Sequence, residues 1–204
     1  MPYGYTGALP NQIKNNSGVF SVADITDLTA KGQAGGSLEL IEEKTFTTTQ
    51  FVDFTDIKEN KYDVHFLQFF LTECTGALIT QISNNGGSSF IASGYQRAAQ
   101  YGSVGGTFGE DNSTSTTTIA DFGSGGTNLG KNGYLYFYNL GDSSKYSFAT
   151  FQSFNEHPSL THYMNFGGGV YPTAEIHNAI RLSAITGTST GNAKLYGVKQ
   201  IWVT

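Results

Sequence analysis

The sequence is poor in cysteine, proline and charge. A single cysteine, Cys74, excludes an intramolecular disulfide and any cysteine-based zinc site. The residues before it, Phe66-Leu67-Gln68-Phe69-Phe70-Leu71-Thr72-Glu73, are mostly apolar, so its thiol is expected to be buried and structural. Four prolines in 204 residues exclude a proline-rich linker and a collagen-like repeat. Charged residues make up 13%, which is low against the ~25% of ordinary globular chains. The 11 Lys and Arg are scattered without a basic run and the net charge is -5, which argues against nucleic acid as the main partner. No apolar run approaches the ~20 residues of a membrane-spanning helix, and no membrane partner is expected. Met1-Pro2-Tyr3-Gly4-Tyr5 has neither a charged nor an apolar signal region, so no secretory signal is expected.

What the sequence does hold is aromatic side chains and glycine. With 12 Tyr and 15 Phe it is too aromatic to be disordered, and its 26 Gly have no collagen period. Its length suits one domain, or one domain with an arm. Residues 1–20 have no periodicity, and their few apolar groups, Tyr3, Tyr5, Leu9, Ile13, Val19 and Phe20, cannot form a core alone. This stretch is either an arm that anchors along its own domain or a neighbour, or a disordered terminus. Residues 21–31 predict a short helix. Ser21 suits the N-cap, Asp24 the first turn, Gly32 the residue after the end, and Val22, Ile25 and Leu28 share one face. The expected organisation is an assembly arm with a helix over 1–36 and a β-sandwich over 37–204.

From Leu38 onward the pattern is β. Thr45–Phe54 reads as one Thr- and Phe-rich strand. In Lys61–Leu71, Tyr62, Val64 and Phe66 alternate with polar residues before both faces turn apolar, as in a central strand. Further strands are expected at Ala77–Ile82, Ser89–Ala92, Thr114–Phe122, Gly133–Leu140, Tyr146–Phe154, His162–Phe166, Ala174–Ile185 and Ala193–Trp202. Residues 93–112, with several glycines, read as a long loop, with room for a helical turn at Tyr95–Gln100. Roughly ten strands without helical crossovers point to an all-β sandwich or jelly roll.

No constellation of catalytic residues emerges. Glu42 and Glu43 are adjacent on a strand and face opposite ways, so they cannot flank one glycosidic bond. Glu110-Asp111-Asn112 reads as a polar loop without the regular spacing of calcium loops. Glu156-His157-Pro158 followed by His162 gathers possible ligands, but Pro158 breaks the helical spacing a metalloprotease motif needs. Gly167-Gly168-Gly169 precedes no helix and is no phosphate loop. No cofactor, catalytic group or metal site is therefore expected. Tyr134, Tyr136 and Tyr138 share one face of a strand. They either stack sugars, form a protein interface, or pack under a loop or helix.

Several stretches together resemble the jelly-roll virion structural proteins of tailed bacteriophages. Ala174-Glu175-Ile176-His177-Asn178-Ala179-Ile180-Arg181-Leu182, then Gly187–Gly191 and Ala193-Lys194-Leu195-Tyr196-Gly197-Val198-Lys199, resemble that family's last hairpin. Gly133-Tyr134-Leu135-Tyr136-Phe137-Tyr138-Asn139 is similar to its middle strand, and Phe51-Val52-Asp53-Phe54 and Tyr62-Asp63-Val64-His65-Phe66 to its opening strands. The resemblance spans residues 38–200, and the preface Gly18–Leu28 is similar to N-terminal segments of the same proteins. It implies a non-enzymatic virion protein, made in the host cytoplasm and carried on the capsid surface. The role implied first is that of a capsid decoration, or cement, protein. Its partners would be the major capsid protein or another virion protein, and copies of itself in a trimer. A tail-fibre or adaptor component, or a module that recognises host glycans, is the alternative. The anchoring arm favours a virion component over a free-standing sugar-binding module, and a single-domain length without shaft repeats favours decoration over a fibre.

Overall fold

The computed structural model describes residues 38–157 and 162–198, within a compact unit spanning Leu38–Gln200. The expected arm and its helix, with Tyr3, Tyr5, Leu9, Ile13, Val19 and Phe20, lie outside the described residues, as do Pro158 and the end of the last expected strand. Twelve strands form among the described residues: β1 (Leu38–Thr49), β2 (Phe51–Phe54), β3 (Val64–Cys74), β4 (Ala77–Ser83), β5 (Tyr95–Ser103), β6 (Phe108–Thr116), β7 (Ala120–Asp121), β8 (Lys131–Tyr138), β9 (Ser147–Glu156), β10 (His162–Tyr171), β11 (Ala179–Ile185) and β12 (Ser189–Val198). They build two antiparallel sheets. The eight-stranded sheet has the order β1-β12-β3-β8-β9-β10-β5-β6 and the four-stranded sheet β2-β11-β4-β7.

Alternation decides which side chains meet between the sheets. On β3, His65, Leu67, Phe69 and Leu71 point inward; on β8, Leu135 and Phe137; on β9, Ala149 and Phe151. The apolar ones among them join Val52 and Phe54 of β2, Leu78 and Ile82 of β4, and Ile180 and Leu182 of β11 in one core. The small sheet closes its own outer side with a stack: the Arg181 guanidinium lies between the rings of Phe51 and Phe90, 4.1 and 4.0 Å from their centroids. Its bidentate pairing with Asp53, at 2.6 and 2.7 Å, holds it there.

Several readings of the sequence are corrected. Residues 93–112 are not a long loop with a helical turn: β5 and β6 form a hairpin across most of that span, so Glu110 and Asp111 lie on a strand and face opposite sides. Glycines suggested a loop, yet Gly102 and Gly109 sit in paired strands, with the Phe108 and Tyr101 rings lying over them where a side chain would be. Thr45–Phe54 is two strands in different sheets, with Thr48 in left-handed backbone near the corner. Thr114–Phe122 likewise divides into β6 and β7 of opposite sheets. Such corners carry no glycine or proline signal here, so period-two alternation runs straight through them. Ser89–Ala92 and Ala174–Asn178 are irregular rather than strands, although Ile91 still donates its N–H to the Ile82 carbonyl.

One further outcome bears on function. The doubly apolar stretch of β3 reads as a central strand. β3 is central, between β12 and β8, but its even-numbered side chains from Val64 to Thr72 face away from the small sheet, and Phe70 is 51% exposed. The apolar groups on that side belong to a surface.

Candidate functional site

The outward face of the large sheet is that surface. Register places Tyr196 of β12 beside Phe66 of β3, and Phe66 beside Tyr136 of β8. The Phe66 ring lies 4.8 Å from Tyr136, 5.8 Å from Tyr134 and 6.0 Å from Tyr196, and Tyr136 stacks on Tyr138 at 6.4 Å. The three tyrosines singled out from the sequence therefore belong to one ladder of five rings. Tyr134 is 38% exposed and Tyr136 and Tyr138 are half-buried. Their hydroxyls are partly engaged: Tyr134 donates to Gln152 Oε1 at 2.9 Å, and Tyr138 lies 3.3 Å from Thr150 Oγ1. Phe148, Phe154 and Phe166, also exposed, extend the apolar area across β9 and β10. Beside the rings, the small residues Ala98, Thr150 and Gly168 leave a shallow trough. Rings of this kind add about 0.5–1.5 kcal/mol per pair beyond area burial when a partner covers them.

A second feature lies on the inner side of the large sheet, where β10, β5 and β6 extend past the small sheet. Here a groove of about 570 Å³ opens between these strands and the segment after β7. Tyr101, Asp111, Asp121, His157, Tyr163 and Asn165 line it. Tyr163 makes edge contacts with His157, at 5.3 Å, and with Tyr101, at 6.4 Å. Arg97, buried beneath, binds Asp111 at 2.6 Å and lies 3.5 Å from Asp121. One groove wall is main chain, fixed by Asn155 donating to the Phe122 carbonyl at 2.7 Å and by Lys131. The Lys131 ammonium is buried and donates to the Gly123 and Ser124 carbonyls at 3.1 and 2.6 Å, and burial lowers its pKa to about 8. Gly123 has left-handed backbone, and a side chain there would overlap the Tyr163 hydroxyl. Sequence reading missed this groove because Asp111, Asp121 and the pair Tyr163 and Asn165 come from three separate strands with no motif in common.

The other polar groups divide between the two sides. His157 meets Tyr163 in the groove, whereas His162 stacks on Phe154 of the outward face, so they do not converge. Glu43 pairs with Lys194 at 3.2 Å and Glu42 with Lys44 at 3.1 Å, on opposite sides of β1. Among the described residues, no group of three His, Cys, Asp or Glu side chains could hold a metal ion. The Cys74 thiol is buried, as expected, and burial raises its pKa.

One arrangement was invisible in the sequence: Ser147 Oγ lies 2.8 Å from His177 Nδ1, and His177 Nε2 lies 3.3 Å from Glu175 Oε1. This is the residue set of a nucleophile, base and orienting acid. Yet Ser147 and His177 are fully buried, and neither lines the groove. A substrate cannot reach the hydroxyl, so the trio serves to fasten the segment before β11.

His177 and the equally buried His65, whose Nε2 lies 2.8 Å from the Ile57 carbonyl, carry a pH prediction. Burial pushes both imidazoles below their ordinary value, against opposing pulls from Glu175 on His177 and from the Ile57 carbonyl on His65. The unfolded chain, with histidine near ~6.5, then binds protons that the folded chain refuses. Their contribution is complete above that pH and is lost as pH falls toward the lower folded values, by up to ~1.4 kcal/mol per pH unit for each. Urea midpoints measured from pH 7.5 down to 5 should therefore fall, and His65→Gln should flatten the slope. A slope that is unchanged in the variant would exclude His65 as its source.

Compared with known proteins, the chain matches no family model and no curated protein.

Proposed function

We propose that this chain is a non-enzymatic structural protein of a tailed-bacteriophage virion, a capsid decoration protein that docks on the head shell and stabilises it. The observation that carries the reading is the five-ring ladder on the outward face of the large sheet. An exposed, contiguous aromatic surface with few charges suits burial against a protein partner. The strand orders β1-β12-β3-β8 and β2-β11-β4-β7 support a jelly roll: first and last strands pair in each sheet, as two nested Greek keys require. The hairpin β5–β6 and the strands β9 and β10 are then additions that widen one sheet. The likeness of residues 38–200 to jelly-roll virion proteins agrees in kind. The protein assembles as a homotrimer and binds the major capsid protein, and residues 1–36 contribute to that attachment.

The test is binding to capsid shells stripped of decoration. The full chain should co-sediment with shells, and a double Tyr134→Ser, Tyr136→Ser variant should lose at least ~30-fold in affinity, since buried aromatic anchors each carry about 1–2 kcal/mol or more. A chain starting at Ser37 should keep cooperative melting, because every described strand lies beyond it, yet lose shell binding. Equal binding by the truncated chain would remove residues 1–36 from the interface. Binding to separated tails but not heads would replace decoration with the tail-fibre role. Light scattering should give three times the 21.9 kDa of one chain.

A further inference from the structure

We propose that the groove between β5, β10 and the segment at 121–124 is a binding site for a neutral pyranose sugar. Its volume of about 570 Å³ falls within the ~300–1,000 Å³ of small-molecule sites. Its lining combines two kinds of group that a sugar ring requires. Tyr101 and Tyr163, set edge to face, present negative ring faces to the slightly positive C–H groups of a pyranose. The carboxylates of Asp111 and Asp121 and the Asn165 amide supply the paired acceptors and donors that vicinal hydroxyls match.

The charge balance narrows the class. Arg97 lies under both carboxylates and offsets part of their charge, while Asp111 remains substantially open to the groove. The Lys131 ammonium behind the 122–124 wall offsets more of it at Asp121, so the site is not the dense negative cage that would select a cation; with Asp111 open to it and no Lys or Arg among its lining residues, it offers an anionic sugar no partner. Pre-organisation strengthens the case. The 122–124 main chain is held by Asn155 and Lys131, and the Gly123 carbonyl also accepts from the Leu78 N–H at 3.2 Å. The Tyr163 hydroxyl reaches the Ser124 carbonyl at 3.4 Å, so little has to be ordered on binding. The inference does not depend on where the protein is assembled, because the groove and the five-ring face lie on opposite sides of the sheet.

The test is a titration of the full chain, labelled with nitrogen-15, against glucose, galactose, mannose, N-acetylglucosamine, N-acetylneuraminate and choline. At least one neutral sugar should give saturable amide shifts at Ala99, Tyr101, Gly123 and Asn165, with a dissociation constant of about 1–10 mM. N-acetylneuraminate should bind at least ~10-fold more weakly, about 1.4 kcal/mol of discrimination. Tyr101→Leu keeps an apolar cover over Gly109 but offers no ring, and should weaken binding at least ~10-fold. Tyr134→Ser, on the outward face, should leave sugar binding unchanged while weakening shell binding. The proposal is overturned if no neutral sugar gives saturable shifts up to about 50 mM, if choline binds better than every sugar, if the shifts fall on Tyr134 and Tyr136, or if folded Tyr101→Leu binds as well as the parent.

Discussion

Phe122→Ala is expected to lower the melting temperature by about 10–20 °C, the largest effect of any single change considered. Phe122 is fully buried, and its ring makes edge contacts with Phe69 of β3, at 4.8 Å, and Phe151 of β9, at 5.4 Å. It therefore ties the segment after β7 to two strands of the other sheet. Removing a buried Phe side chain costs about 3–5 kcal/mol, through lost transfer energy and the cavity left behind. Loss of two aromatic pairs places this site at the upper end. In a chain of this length each kcal/mol corresponds to about 2–4 °C. The Phe122 carbonyl accepts from Asn155 and sits just before Gly123 and Ser124, so the groove wall should loosen as well. Phe122→Leu, which refills most of the volume, should recover more than half of the loss. A shift under about 5 °C for the alanine variant, measured by calorimetry, would show that the ring does not join the two sheets.

Arg97→Leu is expected to cost about 2–3 kcal/mol, roughly 4–12 °C. The side chain is 6% exposed, and its guanidinium meets the Thr118 hydroxyl, Asp111 and Asp121. Leucine would leave the Asp111 and Asp121 carboxylates without the cation they share, with only the buried Lys131 ammonium near Asp121. Breaking a buried ion pair costs about 3–5 kcal/mol, and the figure is reduced here because Asp111 is 43% exposed and part of its charge is screened by water. The mechanism is separable from simple loss of packing. Adding Asp111→Asn to Arg97→Leu removes half of the uncompensated charge and should restore about 1 kcal/mol. If the double variant melts no higher than the single one, Arg97 acts through its packed stem rather than its charge.

Much of the fold was legible along the chain because strands leave a local signature. Tyr134, Leu135, Tyr136, Phe137 and Tyr138 alternate, and the structure sends Leu135 and Phe137 inward and the tyrosines outward. The two patterned runs that form β11 and β12 were visible for the same reason, but they are not the hairpin their likeness implied: β11 pairs with β2 and β4, β12 with β1 and β3 in the other sheet, and Ser189–Gly191 already belong to β12. The five-ring ladder was half-legible. Its three tyrosines share a strand, but Phe66 and Tyr196 join them only through register between strands distant in sequence. The groove was not legible as a site: Asp111 and His157 stood out singly, but its residues come from β5, β6, β7, β10 and the turns between strands, with no motif in common.

The amino-acid sequence by itself determined the all-β class, the buried thiol, the alternation on β8 and the surplus of aromatic groups. Each follows from composition or from the two-residue period of a strand, which is a property of neighbours. Tertiary structure alone decided where one continuous-looking run bends from one sheet to the other. It also decided which apolar face of β3 is core and which is surface, and that Arg97, Asp111 and Asp121 meet. Those outcomes depend on which strand lies alongside which and on what covers each face. Only the closed packing of distant segments specifies that, because a phenylalanine reads identically whether a second sheet or solvent lies over it.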